Sequence, residues 1–214
     1  MTLYLAVVWV WATLSVQDAV ARFPQAANDA ALAPWQKAAL LQVEDPSFYR
    51  HHGLSVGRGQ GRTTISSSLA REVFLLHGRL DGGRGAVQRL YRGVFECCKQ
   101  IDLGRDVMAV VLDRHLSKDQ QLAMYVSTVY MGTAQGRQIS GLPSAAEVYW
   151  NKPLQQLNQQ EFYGLLAMIK APNFYNRDRN PAAYDRRLGR ISALLHGDCQ
   201  PSGWFDTDYA GCDR

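Results

Sequence analysis

Glu44-Asp45-Pro46-Ser47-Phe48-Tyr49-Arg50-His51-His52-Gly53 is the stretch on which the reading of this chain turns. Ahead of it, Pro34-Trp35-Gln36-Lys37-Ala38-Ala39-Leu40-Leu41-Gln42-Val43 has the spacing of a helix with proline near its first turn. Glu44 therefore closes an apolar helix just before a polar loop. A carboxylate in that place loses part of its hydration, which raises its pKa toward a value useful to a general base. Taken alone, Glu44 reads more readily as a local cap or ion pair.

The pattern outward from this stretch is helical. Residues 47–61 are rich in His, Gly and Arg and read as loop. Residues 64–76 return to helical spacing, with Ile65, Leu69, Val73 and Leu76 on one side. A glycine-rich break covers 80–85, and helical patterns flank Asp102-Leu103-Gly104 within 87–116. Ser117-Lys118-Asp119-Gln120 and Asn158-Gln159-Gln160-Glu161 have the form of capping boxes. Residues 132–143 read as loop, 144–150 as a short helix, 172–181 as turns, and 182–195 as an amphipathic helix carrying Arg186, Arg187 and Arg190. No convincing strand alternation is present, so the expected fold is mainly α.

With 214 residues, 47% hydrophobic and 20% charged, the chain can bury a substantial core. A net charge of +4 suits an anionic surface or a phosphate-bearing substrate. There is no Lys/Arg block or zinc-finger spacing, so nucleic acid is not an expected partner. Leu3-Tyr4-Leu5-Ala6-Val7-Val8-Trp9-Val10-Trp11-Ala12 lies in an uncharged start. It reads as a membrane anchor or as the core of a signal peptide cut near Ala19-Val20-Ala21. A buried N-terminal helix is the plainer alternative. Adjacent Cys97 and Cys98 cannot easily bridge each other. Cys199 and Cys212 flank a Gly/Pro/Asp-rich segment, where a bridge would contribute roughly 3 kcal/mol in the chain-entropy model and suits an oxidising compartment. The spacings offer no metal site. The expected organisation is an anchor or signal over 1–21, one domain over 22–197, and a tail over 198–214, disulfide-closed if that bridge forms.

Residues 44–53 match, at all six defined positions, the E-D-x-x-F-Y-x-H-x-G motif of glycosyltransferase family 51. That family comprises peptidoglycan glycosyltransferase domains of class A penicillin-binding proteins and monofunctional transglycosylases. Gly61-Arg62-Thr63-Thr64-Ile65-Ser66-Ser67-Ser68-Leu69-Ala70-Arg71 resembles its G-x-S-T-x-T-Q-Q-L segment, with serines in place of both glutamines and Arg71 where a lysine is usual. Leu112-Asp113-Arg114-His115-Leu116-Ser117-Lys118-Asp119 and Met124-Tyr125-Val126-Ser127-Thr128-Val129-Tyr130-Met131-Gly132 resemble later segments. The resemblance runs collinearly from residue 38 to residue 195. It implies a lysozyme-like domain that joins lipid-linked disaccharides, with Glu44 as the base. It also implies contacts to substrate from Asp45, His51, Thr63, Thr64, Ser67 and Arg71, with Arg58 and Arg62 as further cations.

One departure bears on activity. The family carries a second catalytic glutamate in R-K-x-x-E, and an ungapped count back from Asp113 puts Arg105 there. A gapped count through Arg92-Gly93-Val94-Phe95-Glu96 offers Glu96 instead. Arg105 at this place either contacts diphosphate directly or marks a weakened homologue that holds precursor or glycan as a scaffold. A guanidinium there also puts a divalent metal at the diphosphate in question. The resemblance implies a lipid-linked precursor, a membrane surface and a separate transpeptidase as partners. It implies a location on the periplasmic face of a bacterial inner membrane, or in the periplasm after cleavage.

Overall fold

The computed structural model describes residues 1–24, 31–61, 63–95 and 102–213. Glu96, Cys97, Cys98 and Arg62 lie outside them. The chain divides into two compact units, each discontinuous in sequence: residues 1–25, 49–55 and 63–122 in the first, and 26–48, 56–62 and 123–214 in the second.

The first unit is helical. It holds α1 (Thr2–Ala21), α3 (Ile65–Arg71), α4 (Gly82–Phe95), α5 (Leu103–His115) and the start of α6 (Lys118–Thr128). A π-helical turn, Glu72–His77, continues α3. Helix α5 packs against both α1 and α3, burying Met108, Ala109, Val111 and Leu112 with Val8, Trp11, Ala12, Val16 and Ala19 of α1 and Ile65 and Leu69 of α3. Asp102 caps α5, its carboxylate accepting from the Gly104 and Arg105 amides at 3.0 and 3.1 Å. Helix α1 is long and apolar enough to cross a membrane, and it is also bound into this unit. The Trp11 indole donates to the Arg84 carbonyl at 3.0 Å, and Asp18 pairs with Arg84 at 2.5 Å.

Those contacts explain a difference from the sequence expectation. Helix α4 starts at Gly82, inside the stretch read as a break. Glycine disfavours a helix by about 1 kcal/mol per residue, but Arg84 is held by both Asp18 and the Leu14 carbonyl, and tertiary contact overrides propensity.

The second unit holds α2 (Pro34–Glu44), the rest of α6, the hairpin β1 (Tyr130–Ala134) and β2 (Arg137–Ser140), α7 (Leu142–Trp150), α8 (Gln159–Ile169) and α9 (Pro181–His196). Helix α8 is buried from Phe162 to Ile169 and packs against α2, α7 and α9. Its capping box forms as expected, Asn158 with Glu161 at 2.9 Å in both directions. The hairpin corrects the reading of 132–143 as loop. Its strands pair Thr133 with Gln138 and Ala134 with Arg137, around a Gln135-Gly136 turn in which both residues have positive φ. Met131 and Ile139 are its buried side chains, too few to give visible alternation. Beyond α9, Cys199 and Cys212 are bridged, with Cα atoms 5.5 Å apart.

Candidate active site

In the second unit, local sequence places Glu44 at the last residue of α2. Pro34 opens the helix, and the Gln36 side chain accepts from the Ala33 amide at 3.0 Å. Gln36 also donates to the Leu154 carbonyl at 2.9 Å, while Ala39, Leu40 and Val43 turn inward. The helix stops because Asp45 leaves the helical region, with φ −156 and ψ 78, and the α conformation is disfavoured for a residue before proline. Glu44 is deep-set but retains some solvent access.

Burial pushes the Glu44 carboxyl up to about 7. Arg187, the Tyr125 hydroxyl and Lys170 oppose that rise, while Asp45 reinforces it. The Tyr125 hydroxyl lies 3.4 Å from Glu44 Oε2, at the long limit of a hydrogen bond. Arg187 is 3% exposed and donates to the Ala167 and Thr207 carbonyls, both at 2.9 Å. Its guanidinium also lies 4.9 Å from the centre of the Tyr175 ring. The Tyr209 hydroxyl donates to the Val43 carbonyl, one residue before Glu44, at 2.9 Å. Asp45 is fully buried, and its carbonyl accepts from the Phe48 amide at 3.0 Å.

The first unit gathers several of the other expected residues. Gly53 has φ +94, and a Cβ there would lie 2.8 Å from the Ala109 backbone, so only glycine fits. Its amide donates to His51 Nδ1 at 3.1 Å, and its carbonyl accepts from the Thr64 hydroxyl at 2.6 Å. Thr64 in turn caps α3, accepting from the Ser67 amide at 3.0 Å. The Ser67 hydroxyl donates to Asp106 at 3.3 Å, and Arg105 pairs with Asp106 at 3.5 Å. Thr63, Arg71 and, in the second unit, Arg58 are exposed. Asp113 is bound by Lys118 at 2.6 Å and by Gln121 at 3.0 Å.

Three features escaped the sequence reading. Asp106 follows Arg105 and brings a carboxylate to the Ser67–Arg105 cluster, and burial raises it above the ordinary carboxylate range. Its signal was simply its place in the first turn of α5. Tyr125 stood inside a matched segment without an assigned role. Tyr209 carried no local signal. Arg105 Nε is buried without a hydrogen-bond partner among the described residues. Among the described residues, no three His, Cys, Asp or Glu side chains come together as ligands for an ion.

A glutamate raised toward neutrality by burial, with the buried Arg187 opposing its protonation, is an arrangement able to do acid–base chemistry. The transglycosylase family model matches residues 15–196, and the chain belongs to that family, with its mainly helical, lysozyme-like fold. Penicillin-binding protein 1B of Vibrio cholerae serotype O1 is 32% identical over 171 residues, covering 73% of this chain and 20% of the relative. Penicillin-binding protein 1B of Escherichia coli K12 is 30% identical over 159 residues, covering 73% and 18%. Penicillin-binding protein 1F of Bacillus subtilis is 30% identical over 166 residues, covering 75% and 21%. The chain thus spans about a fifth of the length of these relatives.

Proposed function

We propose that this chain is a peptidoglycan glycosyltransferase that joins lipid-linked disaccharides into glycan strands, with Glu44 as general base. The Glu44 carboxylate takes the proton of an acceptor sugar hydroxyl. The freed oxygen forms a bond to the anomeric carbon of the donor glycan. The bond from that carbon to the lipid diphosphate breaks, and the diphosphate departs with the electron pair. The observation that carries this reading is Glu44 set deep at the last residue of α2 beside the Tyr125 hydroxyl, where burial raises its carboxyl against the opposing charge of Arg187 to about 7. A base at that pKa is half-ionised at neutral pH and strong enough to accept a hydroxyl proton. For the leaving diphosphate, the family resemblance supports Arg71, Arg105, Thr63 and Ser67 as contacts, and guanidinium groups match phosphate geometry. Asp45, His51 and Thr64 act by shaping the backbone around the reacting groups.

Helix α1 serves as a retained membrane anchor in this account. Cleavage after Ala21 would strip Val8, Trp11, Ala12, Val16 and Ala19 from the first unit's core. The proposed location is the periplasmic face of a bacterial inner membrane, and a transpeptidase acting on the strands is the proposed partner. A second reading, a weakened homologue that holds precursor without polymerising it, follows if Arg105 rather than Glu96 takes the second carboxylate position. Incubating the full chain with labelled lipid-linked disaccharide separates the two. Glycan polymer on a gel supports the enzyme, and saturable binding without polymer supports the scaffold.

A further inference from the structure

The family match ends at residue 196, yet the segment beyond it reaches the surroundings of Glu44. Gly197, with φ +80, ends α9 and turns the chain back. The Cys199–Cys212 bridge closes the segment. Inside the loop, the Asp206 carboxylate accepts from the Ser202 amide and hydroxyl and from the Tyr209 amide, at 2.7–2.9 Å. Arg190 grips Asp213 through two nitrogens, both at 2.5 Å. The tail also presses on the loop at 56–61: the Gly59 amide donates to the Gly203 carbonyl at 3.4 Å, and a Cβ on Gly59 would meet the Pro201 ring at 2.6 Å. This is a folded segment with its own polar organisation.

Three of its residues act on Glu44 or on the charges around it. Tyr209 is 1% exposed and donates to the Val43 carbonyl at 2.9 Å. Carbonyls in the last turn of a helix run out of intrahelical partners, so this bond fixes the turn from which Glu44 projects. The Thr207 carbonyl accepts from Arg187 at 2.9 Å. Asp208 pairs with Lys170.

We propose that the disulfide-closed tail, residues 197–213, is a positioning element for Glu44. Tyr209 clamps the end of α2 and keeps water from the carboxylate, while Thr207 and Asp208 hold Arg187 and Lys170 in place. This rests on the reading of Glu44 as the base. The groups that act on Glu44 are Asp45 at the end of its own helix, Tyr125 of α6, Lys170 at the end of α8 and Arg187 of α9, and Tyr209 of the tail lies near enough to feel the Glu44 charge. Burial and then the Glu44 charge raise the Tyr209 phenol above its ordinary value.

The test uses the full chain in detergent with 13C-labelled glutamate carboxyls. The chain has five glutamates, and the Glu44 signal is identified by its loss in Glu44→Gln. Tyr209→Ala admits water and lowers the Glu44 midpoint by about one pH unit or more, since desolvation is what raised it. Tyr209→Phe keeps the ring and therefore most of the raised midpoint. Opening the loop with Cys199→Ala/Cys212→Ala shifts the midpoint in the same direction as Tyr209→Ala. In the polymerisation assay, Tyr209→Ala lowers kcat about tenfold with little change in KM, as misplacement of a base does. A Tyr209→Ala chain with native circular dichroism and an unmoved Glu44 midpoint overturns the proposal. If that variant does not fold, an unmoved midpoint in the double cysteine variant overturns it equally. Polymerisation that survives Glu44→Gln would sink the base assignment, while the titration would still decide whether the tail sets the Glu44 environment.

Discussion

Replacing Glu44 with glutamine should make the protein more stable as pH rises. An ordinary glutamate titrates at 4.5, and burial raises Glu44 to about 7. Between those values the native state binds a proton that the unfolded chain has released. Native stability therefore falls as pH rises through that window, and the full contribution is present only below 4.5. A tenfold change in proton affinity is about 1.4 kcal/mol, so the loss attributable to Glu44 reaches up to about 3 kcal/mol above pH 7. Glutamine does not titrate and escapes it. Urea unfolding of both proteins at pH 4.5, 6 and 8 should show a stability difference that grows in favour of Glu44→Gln by up to about 3 kcal/mol. A difference that stays flat across this range would refute the claim that the carboxylate is held in a desolvating site. The growth in stability on removing a reactive group is the expected mark of a site built for chemistry rather than for folding.

Other perturbations follow from the same geometry. Arg187→Met removes the largest influence opposing Glu44 protonation, so the rising limb of the kcat–pH profile should move above its wild-type position near pH 7. The same change leaves the Ala167 and Thr207 carbonyls without that donor, at about 1–3 kcal/mol each, measurable by chemical denaturation. Gly53→Ala sets a Cβ against the Ala109 backbone at positive φ, and thermal unfolding should show a loss of about 2–4 kcal/mol. Trp11→Ala leaves a hole between α1 and its neighbours and frees the Arg84 carbonyl. It should cost about 3–5 kcal/mol if α1 is part of the folded unit, and close to nothing if α1 is only a tether.

How far these features were legible depended on whether the signal was local. The helices around Glu44, the Asn158 capping box and the last amphipathic helix are written in spacing and cap chemistry, and they form where that chemistry puts them. Helix α4 was misread because its start depends on Arg84 meeting Asp18, a contact that spans 66 positions of chain. The hairpin was missed because its two buried side chains sit among polar and glycine positions. Within the site, Glu44 was recoverable from its motif and from its place between an apolar helix and a polar loop. Its environment was less accessible. Arg187 was visible only as one cation among several on α9, and Tyr209 reaches Val43 across 166 positions. Thr64 and Ser67, read from the resemblance as substrate contacts, also serve the fold as a helix cap and as a partner of Asp106.

The most direct measurement is the rate of glycan polymer formation from labelled lipid-linked disaccharide at pH 8, wild type beside Glu44→Gln, with both chains shown to be folded. Polymer is expected from the wild type, with a loss of about 10²–10⁴-fold in the variant, the range a positioned base supplies. Wild-type polymerisation with a Glu44→Gln rate within a few-fold of it would contradict the account.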